Sequence, residues 1–114
     1  MQYREERPWG HFEVLTQFPG YKVKRLVVRH GGSLSLQSHK FRSEVWTVVE
    51  GLATVTLGER TFKLKPKDCV EIGIGQKHRL ESLDGVETTV IEVQFGENLS
   101  EDDITRFEDV YKRC

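Results

Sequence analysis

Short segments that favour β-strands, each bounded by a turn, run through most of the chain. Ala53–Leu57 and Arg60–Leu64 are two such segments, and Gly58-Glu59 between them predicts a hairpin. Gly31-Gly32 and Gly51 interrupt other segments of the same kind. Further strands are predicted over Tyr21–Arg29, Ser33–Leu36, Glu44–Val49, Cys69–Ile72, Lys77–Glu81 and Thr88–Phe95. Many short strands at regular spacing indicate an all-β sandwich or barrel.

The C-terminal part of the sequence has a different pattern. Ser100-Glu101-Asp102-Asp103 resembles a helix capping box and places acidic residues in a first turn. The apolar residues that follow recur at helical spacing, at Ile104, Phe107, Val110 and Tyr111. The sequence therefore predicts one short helix over about 100–111, packed on the barrel.

Composition limits the kinds of partner. The chain has 114 residues, which predicts a single domain over 1–114, and its net charge of −1 gives no general attraction to nucleic acid or an anionic membrane. No apolar run reaches membrane-spanning length, and Met1–Arg7 lacks the apolar stretch of a signal peptide. Cys69 and Cys114 show neither metal nor redox spacing, so no disulfide framework is expected and a reducing cytoplasm is predicted.

Four side chains form a candidate metal site. Gln37 and His39 are two positions apart, so on an extended chain they share one face. Glu44 opens the next strand, and His78 follows a glycine-rich bend. Two imidazoles, a carboxylate and an amide oxygen suit a divalent ion such as Zn, Mn, Co, Ni or Fe. Taken singly, a strand histidine is more often a surface or hydrogen-bonded residue than a ligand, and that alternative stays open.

The spacing of these residues resembles the two motifs of the cupin superfamily. The first motif is matched by Gly31, Gln37, His39, Glu44 and Gly51, with Gln37 in place of the first histidine. The second motif is matched by Gly73, Gly75 and His78. The resemblance implies a single-domain cupin, which is a double-stranded β-helix or jelly-roll barrel, and it implies that Gln37, His39, Glu44 and His78 are the metal ligands.

A narrower resemblance is to the type II phosphomannose isomerases. It is carried by the segment 37–51, QSHKFRSEVWTVVEG, and continues at 7–10, 75–81, 91–94 and 101–111. In that family the isomerase cupin is often the C-terminal part of a longer mannose-1-phosphate guanylyltransferase. Two residues depart from the family pattern. Phe41 replaces the second histidine of the pattern, and Lys40 stands at a position that is often histidine.

The resemblance implies a metal-dependent aldose–ketose isomerase that interconverts mannose 6-phosphate and fructose 6-phosphate through an enediolate. This reaction needs a general base, and Glu92 is the candidate because Ile91, Val93 and Phe95 would take the opposite face of its strand. Glu92 and Gln94 would then share the barrel interior. An outward Glu92 in a salt bridge is the alternative.

Basic residues are candidates for the sugar phosphate. Lys24, Arg42, Arg79 and Arg106 match basic positions of the resembled family, although most such residues are ordinary solvated charges. Lys24 and Arg106 are grouped with Glu92 as catalytic candidates. Arg42, Arg79 and Gln94 are predicted to contact the substrate.

Other functions remain open at this stage. The loss of a histidine at Phe41 is consistent with a non-catalytic sensor that binds metal and sugar phosphate, and a different cupin enzyme, such as an Fe-dependent dioxygenase, is a third hypothesis. Guanylyltransferase activity is not expected, because the sequence has no glycine-rich nucleotide loop followed by a basic residue. The expected partners are a second copy in a homodimer and a separate nucleotidyltransferase chain.

Overall fold

The computed structural model describes residues 3–111, which form eleven β-strands. No helix occurs within that range. In chain order the strands are β1 (Tyr3–Arg7), β2 (Gly10–Phe18), β3 (Tyr21–Val28), β4 (Leu36–Ser38), β5 (Ser43–Glu50), β6 (Ala53–Leu57), β7 (Arg60–Leu64), β8 (Cys69–Ile72), β9 (His78–Glu81), β10 (Thr88–Phe95) and β11 (Thr105–Glu108). The all-β prediction is confirmed.

The strands form two antiparallel sheets. The larger sheet has the order β1-β2-β3-β10-β5-β8, and the smaller sheet has the order β11-β4-β9-β6-β7. The predicted hairpin is present, since β6 and β7 pair from Ala53–Leu64 to Leu57–Arg60, and Gly58 takes a positive φ in its turn. The apolar core includes Trp9, Trp46 and Leu80.

Two strands were missed in the sequence, because β1 and β2 lack a clear alternation of apolar and polar residues. β1 is Tyr-Arg-Glu-Glu-Arg and carries no aliphatic residue at all. It is held by pairing with β2, from Tyr3–Val14 to Arg7–Gly10. Tertiary pairing here overrides a weak intrinsic preference for strand.

The helix predicted over about 100–111 is wrong. Residues 105–108 instead form β11, which pairs with β4 through Thr105–Ser38 and Arg106–Gln37. The apolar residues at helical spacing do not form a single buried face, because Phe107 and Val110 are exposed. The acidic residues before β11 bind distant partners, Lys24 and the backbone of Lys40, rather than a helix N-terminus. Long-range pairing therefore outweighs the local capping pattern.

The inward-facing residues of three neighbouring strands change from apolar to polar at the same level. Read in the order β3, β10, β5, three successive rows of cross-strand neighbours are Leu26, Val90 and Val48; Lys24, Glu92 and Trp46; and Lys22, Gln94 and Glu44. All nine side chains are buried. One end of the interior is therefore a hydrocarbon core, while the other is a set of buried charged and polar groups.

Within residues 3–111 there is no helix with the length and apolar character needed to cross a bilayer. Cys69 is an exposed free thiol. Cys114, the other cysteine of the predicted reduced pair, lies outside the described residues.

Candidate functional site

The smaller sheet places three more polar side chains at the polar end of the interior. Gln37 on β4 is the cross-strand neighbour of His78 on β9, and Arg106 on β11 is the neighbour of Gln37 on its other side. Cross-strand neighbours project from the same face of a sheet. His39 follows β4 and is buried beside them. The two sheets thus direct polar groups into one shared space.

His39, Glu44 and His78 form a buried cluster whose ligand atoms all lie within 4.8 Å of one another. His39 Nε2 is 3.1 Å from Glu44 Oε2, and His78 Nε2 is 3.9 Å from Glu44 Oε1. The three residues are only 1–3% exposed. Two imidazole nitrogens and a carboxylate at this spacing could hold one divalent cation.

Hydrogen bonds on the far side of each ring fix how the two histidines are presented. His39 Nδ1 lies 2.6 Å from the Asp103 carbonyl oxygen, and His78 Nδ1 lies 2.8 Å from that of Gln76. A carbonyl can only accept, so each Nδ1 carries the proton, and in the neutral ring the lone pair is on Nε2. This arrangement of backbone acceptors behind the rings is typical of metal-binding histidines. Burial is the main factor that lowers the pKa of His78, which favours its neutral form.

Glu44 is the negative centre of the site. Arg42 Nε donates to Glu44 Oε2 at 2.8 Å, and Trp46 Nε1 donates to Glu44 Oε1 at 2.9 Å. Burial raises the pKa of the Glu44 carboxyl, but the surrounding His39, His78 and Arg42 outweigh it and hold the pKa well below its ordinary value. The carboxylate is therefore ionised although it is almost fully buried.

Glu92 is the second buried carboxyl and behaves in the opposite way. It accepts hydrogen bonds from Gln94 Nε2 at 2.7 Å and from Trp46 Nε1 at 3.1 Å. Burial, followed by the charge of Glu44, raises the pKa of Glu92 to about 7. One carboxylate of this pair thus stays ionised while the other can hold a proton near neutral pH, the usual division of roles in an acid–base pair.

The fourth predicted ligand, Gln37, lies at the edge of the cluster. Its Nε2 donates to the Ser35 carbonyl and hydroxyl oxygens at 3.3 and 3.1 Å. With the amide nitrogen held in this way, the amide oxygen is the atom left to act as a ligand. Gln37 also lines the cavity that adjoins the cluster.

That cavity is rich in positive charge. Its polar lining comprises Arg7, Lys24, Gln37, Arg42, Glu92, Glu101 and Arg106, and its apolar lining includes Trp9, Phe12 and Ile104. Arg7 is paired with Glu5, Lys24 with Glu101 and Arg42 with Glu44. Among the described residues Arg106 has no ion-pair partner, and its buried Nε has no hydrogen-bond partner. A buried, unsatisfied guanidinium nitrogen in a cavity is a candidate anion-binding group.

Glu101 and Asp103 contribute to the site through contacts that sequence reasoning missed. Glu101 accepts from Lys24 at 3.0 Å and from Lys22 at 3.2 Å. The Asp103 carboxylate accepts from the backbone N–H groups of Lys40 and Phe41 at 2.8 and 2.9 Å. Both acidic residues belonged to the predicted helix start, and only their long-range partners reveal their role. The sequence also gave no indication that Trp46 Nε1 donates to both Glu44 and Glu92.

The structure does not bring every predicted residue to the cavity. Arg79 follows His78 on β9 and so points to the outer face, where its Nη1 lies 3.3 Å from Glu108 Oε1. Gln94 is fully buried behind Glu92 rather than along the cavity wall. The Phe41 side chain is exposed and lies outside the cavity lining. By contrast, Lys24, Arg42, Glu92 and Arg106 all reach the cavity.

The fold and the buried cluster define a class, the double-stranded β-helix proteins of the cupin type. An uncharacterized conserved protein with a double-stranded β-helix domain from Klebsiella pneumoniae superposes on this chain with a TM-score of 0.74. The identity is 20%, over 84% of this chain and 82% of that chain, so this likeness shows the fold alone.

The family is shown by sequence. The family model described as "Mannose-6-phosphate isomerase C-terminal" matches residues 1–109. The chain belongs to this family, as the motifs around Gln37 and His78 predicted.

Curated relatives are much longer than this chain. The mannose-1-phosphate guanylyltransferase of Klebsiella pneumoniae is 40% identical over 108 residues, which cover 95% of this chain and 23% of the relative. The alginate biosynthesis protein AlgA of Pseudomonas putida is 45% identical over 107 residues, covering 94% of this chain and 22% of the relative. In these relatives the matching part is about a quarter of a larger protein.

These relatives correct one expectation. The sequence predicted a stand-alone isomerase of mannose 6-phosphate and fructose 6-phosphate, and that prediction is wrong. The similar curated proteins are guanylyltransferases and polysaccharide biosynthesis proteins, and the region that matches is one domain within them. A motif confined to one domain identifies that domain and does not by itself establish the activity of a longer protein that contains it.

Replacing Glu92 by glutamine tests the proton assigned to this residue in metal-free protein. The pKa of Glu92 is about 7 in the folded chain, against an ordinary value of 4.5. Between these two pH values the folded chain keeps a proton that the unfolded chain has lost. The contribution of Glu92 to the free energy of unfolding therefore falls as the pH rises from 4.5 to 7. Glutamine does not titrate. As the pH rises from 4.5 to 8, the wild type should therefore lose about 2–4 kcal/mol of unfolding free energy relative to Glu92→Gln. Urea unfolding in EDTA measures it, and a pH-independent difference would contradict the assignment.

Proposed function

We propose that this chain is a metal-dependent cupin unit that binds a mannose phosphate and works with a mannose-1-phosphate guanylyltransferase. The main support is one observation: the buried His39–Glu44–His78 cluster adjoins a cavity lined by a half-buried arginine, Arg106, whose buried Nε has no hydrogen-bond partner. A cation site beside an anion-binding cavity suits a small phosphorylated sugar. The family description and the names of the relatives supply the sugar, mannose.

In this proposal Gln37, His39, Glu44 and His78 hold the metal. The nitrogen and oxygen donors suit Zn, Mn, Co, Ni or Fe, and they do not select one of these. A bound divalent cation would supply Lewis acidity to hydroxyl or carbonyl oxygens of the sugar. The backbone carbonyls of Asp103 and Gln76 keep both imidazoles turned towards the shared centre.

Arg106 is our first candidate for the phosphate, because Lys24 already has a carboxylate partner in Glu101. Lys24, whose Nζ lies 3.9 Å from the Phe12 ring centroid, also lines the cavity and supplies a second positive charge. Glu92 is assigned the acid–base role, since it lines the cavity and its pKa of about 7 lets it take up or release a proton near neutrality. Gln94 acts through Glu92, to which it donates a hydrogen bond.

The guanylyltransferase partner is proposed from the relatives, in which the matching region belongs to a larger protein. A homodimer and a cytoplasmic location stay predictions. For the dimer, the exposed aromatic residues on the outer surface of the larger sheet, Phe18, Tyr21 and Phe95, offer an apolar contact area.

His78→Ala should abolish high-affinity metal binding and leave the fold intact. The variant loses a direct nitrogen ligand, so affinity for Zn²⁺ should fall by roughly 100-fold or more, since even indirect partners of a ligand are worth about 10–100-fold. Isothermal titration with Zn²⁺ measures the affinity, and circular dichroism checks the fold. His30→Ala is the matched control, because His30 is exposed and away from the cluster. Unchanged Zn²⁺ affinity in a folded His78→Ala protein would reject the ligand set.

Arg106→Met should weaken binding of mannose 6-phosphate and mannose 1-phosphate by roughly 10–100-fold, the value of a lost charge-assisted hydrogen bond. Unphosphorylated mannose, which lacks the anion, should show no such change. Arg25→Met is the matched control, since Arg25 faces outward and pairs with Glu13 at 2.7 Å. Titration calorimetry in the presence of Zn²⁺ provides the comparison. Equal losses in both variants, or no binding of either sugar phosphate by the wild type, would count against the proposal.

The partner proposal predicts a complex with the guanylyltransferase of the same organism. Light scattering after gel filtration should give a mass near twice 13.2 kDa for the chain alone, as the homodimer predicts, and a heavier species after the two proteins are mixed. Independent elution of the two proteins at micromolar concentration would reject a stable partnership in solution.

A further inference from the structure

Arg42 connects the metal cluster with the cavity. It lies immediately before β5, and its side chain is buried, with 6% exposure. Its guanidinium reaches Glu44 Oε2 through Nε at 2.8 Å, the Ser100 carbonyl oxygen through Nη1 at 3.3 Å, and His39 Nε2 through Nη2 at 3.2 Å. Arg42 lines the cavity, whereas His39, Glu44 and His78 do not. The guanidinium therefore stands at the boundary between the cluster and the cavity.

Two of the atoms that Arg42 contacts are candidate metal ligands. In the neutral His39 ring the Asp103 carbonyl holds the Nδ1 proton, so the single in-plane lone pair is on Nε2. That lone pair can accept from Arg42 Nη2 or bind a cation, but it cannot do both. At Glu44 Oε2 a divalent cation would also face the positive charge of the guanidinium at close range, which is strongly unfavourable in a buried site. Arg42 and a metal ion thus compete for His39 and Glu44.

An Arg42 guanidinium that is released from Glu44 could bind a phosphate in the cavity. Its remaining contact, the Ser100 carbonyl, keeps the guanidinium beside the cavity. The neighbouring cations Lys24 and Arg7 have carboxylate partners, Glu101 and Glu5. A guanidinium freed from Glu44 would therefore bring unpaired donors to the cavity, in the forked geometry that matches a phosphate.

We propose that Arg42 exchanges partners between the metal cluster and the bound phosphate, so that metal and sugar phosphate each favour binding of the other. This rests on the proposed function, because it takes the metal site and the phosphate-binding cavity as given. A ligand that draws Arg42 into the cavity exposes His39 and Glu44, and a cation at those residues frees Arg42. Coupling of this kind is reciprocal.

The test compares Zn²⁺ titrations of wild type and Arg42→Met, with and without mannose 6-phosphate, at fixed pH. Without the sugar phosphate, Arg42→Met should bind Zn²⁺ roughly 10-fold more tightly, because the competitor is gone. In the wild type, saturating mannose 6-phosphate should tighten Zn²⁺ binding by roughly 5-fold or more, and in Arg42→Met this dependence should disappear. Arg25→Met should match the wild type in both titrations.

The outcomes separate the two proposals. A wild type that does not bind Zn²⁺ overturns the proposed function and this inference with it. If the wild type binds Zn²⁺ and Arg42→Met binds it with equal or lower affinity, the inference alone is overturned. Arg42 would then support the metal ligands instead of competing with the metal. If mannose 6-phosphate still tightens Zn²⁺ binding in Arg42→Met, the coupling comes from direct contact between metal and phosphate. That result likewise overturns the inference.

A second measurement needs no variant and so does not depend on Arg42→Met folding. In ¹⁵N-labelled wild type the side-chain Nε–H of Arg42, held by Glu44, should give a distinct signal. Zn²⁺ should shift that signal, and mannose 6-phosphate should shift it again. A signal that stays in place when Zn²⁺ saturates the protein would show that Arg42 keeps its partners, contrary to the exchange.

Discussion

The site depends on one buried negative charge. An ionised carboxylate in a protein interior is costly unless it is paired and fully hydrogen-bonded. Glu44 meets this requirement with hydrogen bonds donated by Arg42 Nε and Trp46 Nε1, and the rings of His39 and His78 lie beside it. Burial, together with this charge, raises the pKa of Glu92 to about 7, so that a second carboxyl can keep its proton near neutrality. Two buried acids can coexist here because only one of them is ionised.

The segment between β10 and β11 holds the charged groups of different strands together. The Asp103 carbonyl orients His39, while its carboxylate fixes the backbone of residues 40 and 41. Glu101 lies between Lys22 and Lys24 of β3. Burial raises the pKa of Glu101, but Lys24 and Lys22 outweigh it and hold the pKa below its ordinary value. A short loop thereby links the larger sheet to the His39–Glu44–His78 cluster and leads into β11, which carries Arg106 to the cavity.

The sequence predicted the parts of this structure that follow from strand periodicity. Alternation along β10 predicted that Glu92 and Gln94 share one face, and the two-residue spacing predicted the same for Gln37 and His39; all four side chains are buried in the structure. The same rule, applied to β9, excludes Arg79 from the cavity, because it follows the inward-facing His78. The helix over 100–111 failed for a different reason. The residues that resembled a cap bind groups more than sixty positions away, and local patterns carry no information about such contacts.

Phe41 shows that the effect of a departure from a family motif depends on the contacts of the residue and not on its identity alone. The loss of a histidine there was consistent with a non-catalytic sensor, yet the Phe41 side chain is 54% exposed and outside the cavity lining. What this position supplies is its backbone N–H, which donates to Asp103 and which any residue except proline would provide. The side chain at 41 can therefore vary while His39 and Arg42, on either side of that stretch, keep their positions. The polar groups of the cavity come instead from strand positions, from the loop before β11 and from Arg42 immediately before β5.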